Sequence, residues 1–426
     1  MLPLSEPSET FVETLSNGAR VLTLRLPHLE SVHVSVFVRT GSRHESSRLN
    51  GISHFVEHMA FKGTHERSCQ QINLDAERLG ADVNAHTDKD HTAYHMRGMA
   101  RDATRFIAML GDIVRNSTFP EAELERERQV ILHEFVEDEE DPLSSAYKLF
   151  DQACYGNHPL AQPVIGTRRN IRRISRADLL DYVARQYSGA NLVVGVAGPV
   201  DPVAMAAAAE AAFGAMPAGA ANQIAAPTYQ GGVRSRRQSG CSQVDVVLGF
   251  PIPPSTAECA PAIVAAALFG EGMSSPLLDE IRERRGLAYY AACSADVTDL
   301  SGQFVIEAAT SPEHIDEFLS EVLRLLAREA ERTDPVALER ARNQLAVRTL
   351  GTLERPARRL EDAAQDLLVH GRVRSRAELL ARIESVSAEA VRDAFQQMLS
   401  AAPSLALAGK VRQQDIERAR RRLSAA

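Results

Sequence analysis

The stretch FPEAELERERQVILHEF, residues 119–135, places a proline at a helix start, and DPVALERARNQLAVRTL, residues 334–350, does the same later in the chain. Pro120 and Pro335 stand 215 residues apart. Each segment follows an amphipathic helical stretch, ARDATRFIAMLGDIVRN in the first half and SPEHIDEFLSEVLRLLA in the second. Further out, VHVSVFV (Val32–Val38) alternates apolar and polar residues as a strand does and leads into the helical GISHFVEHMAFKG. Its counterpart VDVVLGF (Val244–Phe250) leads through a Pro-rich turn into the apolar helix APAIVAAALFG. Late in each half a short apolar strand ends in glycine, NLVVGVAG at Gly198 and SLALAG at Gly409, 211 residues apart.

Several pairings in one order, at a nearly constant offset, predict an internal duplication. The fold class expected is α+β: two similar α/β-sandwich domains, each a mainly antiparallel sheet packed with helices. The joint, PAGAANQIAAPTYQGG (Pro217–Gly232), is rich in Ala, Gly and Pro and lacks periodicity. The expected division is therefore an N-terminal domain over 1–220, a linker over 221–232 and a C-terminal domain over 233–426.

At 426 residues, against about 150 for an ordinary domain, the length agrees with more than one core. The net charge of -8 and the lack of a long basic block argue against a nucleic-acid partner; RRNIRR (Arg168–Arg173) reads as a solvated helix entry. No apolar run approaches the ~20 residues needed to cross a bilayer, so no membrane partner is expected. The start, MLPLSEPSETFVETL, has neither a basic n-region nor an apolar h-region. Five scattered cysteines without a C-x-x-C read as reduced thiols, and a cytoplasmic location is expected.

Within GISHFVEHMAFKG, His54, Glu57 and His58 stand at i, i+3 and i+4 and share one helix face. Two imidazoles one turn apart can hold a single zinc ion, and the glutamate between them can take a proton from a metal-bound water. This is the inverted H-x-x-E-H pattern of zinc peptidases. A third ligand is required. The downstream helix offers Glu127 and Glu134, seven residues apart on one face, and spacing does not choose between them or exclude Glu137. His133 projects away around the helix. In NAHTDKDHTAYH, read as one strand, His91 and His95 share a face and His86 points the other way, which leaves a second metal site a minor alternative.

HFVEHMAFKGT, with Glu134 following His58 by 76 residues in ERERQVILHE, resembles the pitrilysin/insulinase family. More closely, it is similar to the short bacterial members akin to mitochondrial processing peptidase. ADVNAHTDKDHTAYHM resembles that family's Gly-Gly-x-x-Asn-Ala-x-Thr strand region, and FGEGMSSPLLDEIRERRGLAYY resembles its second-half signature. Departures are small: Ser275-Pro276 replaces Ser-Arg, and FGEG alters the first glycine.

The resemblance implies a zinc-dependent endopeptidase that hydrolyses unfolded oligopeptides enclosed between two domains. It implies His54, His58 and Glu134 as zinc ligands, Glu57 as general base, and Glu127 in support. It implies Arg282 and Tyr289 as the pair that binds the substrate carbonyl and stabilises the tetrahedral intermediate. The strand near Asn84 and Ala85 matches the edge on which a substrate peptide lies as an added strand. The second-half helix APAIVAAALFG carries no histidine, so one Zn2+ per chain is expected. With both residue sets in one chain, the resemblance implies a homodimer. The alternative is a catalytically silent partner or scaffold subunit of a heteromeric peptidase; such subunits lack part of the H-x-x-E-H set, which is complete here.

Overall fold

In the computed structural model, which describes residues 9–424, the first half of the chain supplies six strands. They are β1 (Glu9–Thr14), β2 (Arg20–Arg25), β3 (Ser31–Val38), β4 (Asp82–Thr87), β5 (Thr92–Met99) and β6 (Leu192–Gly198). Their order in the sheet is β1-β2-β6-β3-β5-β4. The second half supplies β7 (Gly232–Arg237), β8 (Val244–Ile252), β9 (Ala288–Val297), β10 (Gly302–Thr310) and β11 (Ser404–Gly409), in the order β7-β11-β8-β10-β9. Apart from β1, the two orders correspond strand for strand. Each sheet also has one parallel ladder in the same place, β2 with β6 and β7 with β11, and the remaining ladders are antiparallel. The duplicated, mainly antiparallel architecture expected from the repeats is present.

By contact the chain divides into two compact units. One comprises the chain through Phe135, Gln162–Ile224 and Leu353–Val373; the other comprises Val136–Ala161, Ala225–Thr352 and the chain from Arg374. Each unit thus includes one segment from the opposite half of the sequence.

The exchanged segments follow from what the sheets must bury. In the first unit, Val32, Val34, Val36 and Val38 of β3 face Phe55, Val56, Met59, Phe106 and Leu110, in one core. The residues of opposite parity, Leu22, Leu24, Phe37 and Val193, form a second apolar face, covered by Leu360, Ala364 and Leu367 of the helix Pro356–His370. A sheet covered on both faces has central strands without a polar side, as in β6, where every residue is buried. Gly195 of β6 permits the close approach: a Cβ there would meet the Leu360 side chain at 3.0 Å. In the second unit Val244, Val246, Leu248 and Phe250 pack with Val264, Leu268, Phe318 and Val322. The opposite face, with Val247, Val305 and Ala406, is covered by Ala146, Phe150 and Cys154 of the helix Pro142–Tyr155.

None of the five cysteines is in a disulfide. Among the described residues no helix is long and apolar enough to cross a membrane.

Leu360 is fully buried beneath the first sheet. Leu360→Ala is expected to destabilise the protein by about 2–5 kcal/mol, read as a shift in the urea midpoint.

Candidate metal centre

The helix that carries the H-x-x-E-H residues is α1 (Ile52–Ala60). Its buried face is Phe55, Val56 and Met59, which leaves His54, Glu57 and His58 on the face turned out of the core. The entry to α1 is tight. Gly51 has φ +100, and a Cβ there would stand 2.9 Å from Gly166 Cα, so only glycine fits. The first N–H groups of a helix have no partner within it. Here the buried Glu45 carboxylate accepts from Gly51 N at 2.7 Å, from Ser53 N at 2.8 Å and from the Asn50 side chain at 2.9 Å. Burial pushes the Glu45 carboxyl up to about 7, against the pull of these hydrogen bonds. The Ser53 hydroxyl continues the network to the Tyr182 hydroxyl at 2.7 Å, and Tyr182 to Thr40 at 2.6 Å. The start of α1 is thereby fixed two residues before His54.

The carboxylates come from α2 (Glu121–Glu140). Its buried Arg128 donates to the Ile174 carbonyl at 2.9 Å and to the Ile171 carbonyl, and lies 5.4 Å over the Phe55 ring of α1. This anchor holds the two helices together next to the site.

Glu134 Oε2 stands 3.7 Å from His54 Nε2 and 3.5 Å from His58 Nε2. The two imidazole rings meet edge to face, with centroids 4.6 Å apart. Glu127 takes the other side of His58: its Oε2 is 3.0 Å from Nδ1, and its Oε1 pairs with Lys62 Nζ at 2.7 Å. A carboxylate only accepts, so Nδ1 carries the proton and Nε2 presents its lone pair toward Glu134. Glu127 and Glu134, which spacing left equivalent, thus occupy different positions.

The donor set fits zinc. The ligating atoms of His54, His58 and Glu134 lie within 4.8 Å of one another. Ligands ~2.0–2.1 Å from a tetrahedral ion lie about 3.3 Å apart, close to the two observed gaps. Glu57 sits one turn from His54 and next to His58, with its Oε2 buried and without a hydrogen-bond partner among the described residues. Burial raises its carboxyl above the ordinary range, against a Thr87 hydrogen bond and the charges of His58 and His86. A partly desolvated carboxylate with an unused oxygen is suited to receive a proton.

The remaining expected residues are placed as follows. Asn84 and Ala85 lie on β4, the edge of the first sheet. Asn84 is exposed and Ala85 packs against the core that includes α1. Arg282 and Tyr289 belong to the second unit. Arg282 lies in a π-helical segment (Asp279–Arg284), with its guanidinium 5.1 Å over the ring of the exposed Tyr289 at the start of β9. His133 is exposed.

One expectation needs correction. His86, His91 and His95 do not lie on one strand. The Asp88 carboxylate accepts from Asp90 N and His91 N, both at 2.6 Å, and this Asx turn reverses the chain between β4 and β5. His86 consequently stands near both others, with ring centroids 5.4 Å from His91 and 5.8 Å from His95. Glu45, Lys62 and Thr87 were not anticipated; their contacts with the motif are made by folding and have no local pattern.

Comparison with known proteins shows the family. The sequence model of the insulinase family (peptidase family M16) matches residues 20–168, and that of the peptidase M16 inactive domain matches residues 173–345. A zinc protease of Rickettsia felis is 30% identical over 400 residues, covering 93% of this chain and 97% of the relative. The chain belongs to the insulinase family of zinc metallopeptidases. A Streptomyces coelicolor zinc protease is 32% identical over 424 residues, with 95% and 90% covered. The fold matches that of a Helicobacter pylori protease structure, with a TM-score of 0.86 at 20% identity over 94% of this chain and 99% of that one. The insulinase-family match contains His54, Glu57, His58, Glu127 and Glu134. The inactive-domain match contains Arg282 and Tyr289. Among the described residues, no comparable cluster of metal donors lies in the second unit.

Glu45→Ala leaves the Gly51 and Ser53 N–H groups buried and unpaired at the start of α1. At about 1–3 kcal/mol for each unsatisfied group, a loss of several kcal/mol is expected in chemical denaturation, together with weaker zinc retention against a chelator.

Proposed function

We propose that this insulinase-family member is an endopeptidase that hydrolyses unfolded oligopeptides, with one catalytic zinc per chain held by His54 Nε2, His58 Nε2 and the Glu134 carboxylate. The observation that carries the reading is the convergence of these three donors, with Glu57 one turn away holding a buried, unused carboxylate oxygen. When bound, zinc supplies a Lewis acid that polarises a peptide carbonyl and makes water acidic enough to ionise near pH 7.

The chain's own residues supply the rest. Glu57 accepts the proton of the attacking water and returns it to the leaving amine. Glu127 fixes the His58 tautomer through Nδ1 and is itself held by Lys62. Arg282 and Tyr289 are assigned to the substrate carbonyl and the developing oxyanion. Their signature match, the exposure of Tyr289 and the stacking of the two side chains support that assignment. The β4 edge at Asn84 and Ala85 is assigned to the substrate backbone, since an edge strand presents unpaired N–H and C=O groups to an extended peptide. Because one chain carries both residue sets, the working form is proposed to be a homodimer without a second gene product.

Glu57→Gln is expected to keep its zinc, by metal analysis, while peptidase turnover falls by about 10²–10⁴-fold; undiminished turnover ends the proposal. Tyr289→Phe is expected to lower kcat with zinc unchanged, and an unaltered kcat removes Tyr289 from the mechanism. Glu127→Gln is expected to weaken zinc affinity by about 10–100-fold in a chelator competition.

A further inference from the structure

A second group of donors lies in the same unit, on the opposite face of the sheet. His86 is on β4, His91 closes the turn to β5, and Glu361 is on the helix Pro356–His370 that covers that face. His86 stands directly across from Ala93, whose neighbours are the residues packed under that helix and not those of α1. The ligating atoms of His86, His91 and Glu361 lie within 4.8 Å of one another.

We infer that His86, His91 and Glu361 form a second zinc site, structural in role, which ties the β4–β5 turn to the helix Pro356–His370.

Three observations carry the inference. First, Glu361 Oε1 is 3.6 Å from His86 Nε2 and 3.8 Å from His91 Nε2. Both gaps exceed a hydrogen bond, and they lie within about 0.5 Å of the ligand spacing around a tetrahedral zinc ion. They also nearly reproduce the gaps at the first centre.

Second, His91 is only 3% exposed, and its Nε2 has no hydrogen-bond partner among the described residues. A buried imidazole nitrogen left unpaired is costly, and this one faces the Glu361 carboxylate. Third, the tautomer is set for coordination. His91 Nδ1 is 2.9 Å from Asp88 Oδ2, an acceptor only, which draws a proton to Nδ1; in the neutral ring the lone pair is then on Nε2. Gln365 Nε2 is 2.6 Å from the same Nδ1; turning that amide over presents its oxygen as a second acceptor. Asp88 thus does for His91 what Glu127 does for His58. Arg358 occupies the outer oxygen of Glu361, Oε2, at 3.1 Å and leaves Oε1 toward the histidines. Two imidazoles and a carboxylate are a zinc-type donor set and a poor one for calcium or magnesium.

The site does not depend on the catalytic reading and is separated from it by the test. Full-length protein, stripped with chelator and refilled with zinc, is analysed for bound metal by mass spectrometry in five forms. Wild type is expected to hold about two ions per chain and His91→Gln about one. His58→Ala is expected to retain about one ion, and the double variant none. Glu361→Gln, at a partly exposed position on the helix, serves as a second single variant and is also expected to hold about one. Cobalt absorption in the His58→Ala background gives an independent readout, with visible bands that vanish when Glu361→Gln is added. A wild type whose single ion is lost in His58→Ala, or His91→Gln and Glu361→Gln chains that hold as much zinc as wild type, overturns the site. Loss of the first ion from His58→Ala alone bears on the catalytic centre and leaves this site standing.

Discussion

Electron-rich groups do not gather without a reason, and the fold depends on making three of them converge. His54 and His58 are brought together by the pitch of one helix. Glu134 must arrive from another, and its carboxylate is held within 4 Å of both imidazoles. Much of the surrounding structure serves that convergence. Glu45 and Gly51 fix where α1 begins. Arg128 locks α2 against Phe55 and two backbone carbonyls. Glu127 turns His58 so that the correct nitrogen faces inward. A divalent ion bound among these groups would stabilise the arrangement, because binding free energy at such a site adds to folding free energy.

Duplication explains how the chain is built, and divergence of the copies accounts for what each unit carries. Both sheets keep the same strand order and the same single parallel ladder. The first copy places His, Glu and His on its first helix; the second places alanines and Leu268 on the apolar helix Ala260–Gly270, which has become core on nearly every side. The match of the second half to an inactive-domain family agrees with that division of labour.

What was legible in the sequence was local or periodic. The strand β3 shows alternation, and His54 and His58 are one helical turn apart, so both could be read from spacing. The choice between Glu127 and Glu134 could not, because residues seven apart share a face and only the placement of His58 separates them. The stretch from His86 to His95 reads as one strand, with His86 turned away from His91 and His95, because alternation carries no mark of a reversal; the Asp88 side chain makes the turn. Glu45 and Glu361 were invisible for a different reason. Each acts through a contact with residues elsewhere in the chain, and a lone glutamate has no pattern. The helix Pro356–His370 reads as an ordinary amphipathic helix, with nothing in its own sequence to say that the sheet it covers belongs to the other half.

The central claim is that a metal ion belongs at the meeting point of α1 and α2. Anomalous scattering at the zinc absorption edge, from crystals of the protein grown with zinc, tests it most directly. The expected result is a peak within bonding distance of His54 Nε2, His58 Nε2 and the Glu134 carboxylate, with Glu127 outside that shell. A map with no peak there, or with Glu134 turned away from both imidazoles, contradicts it.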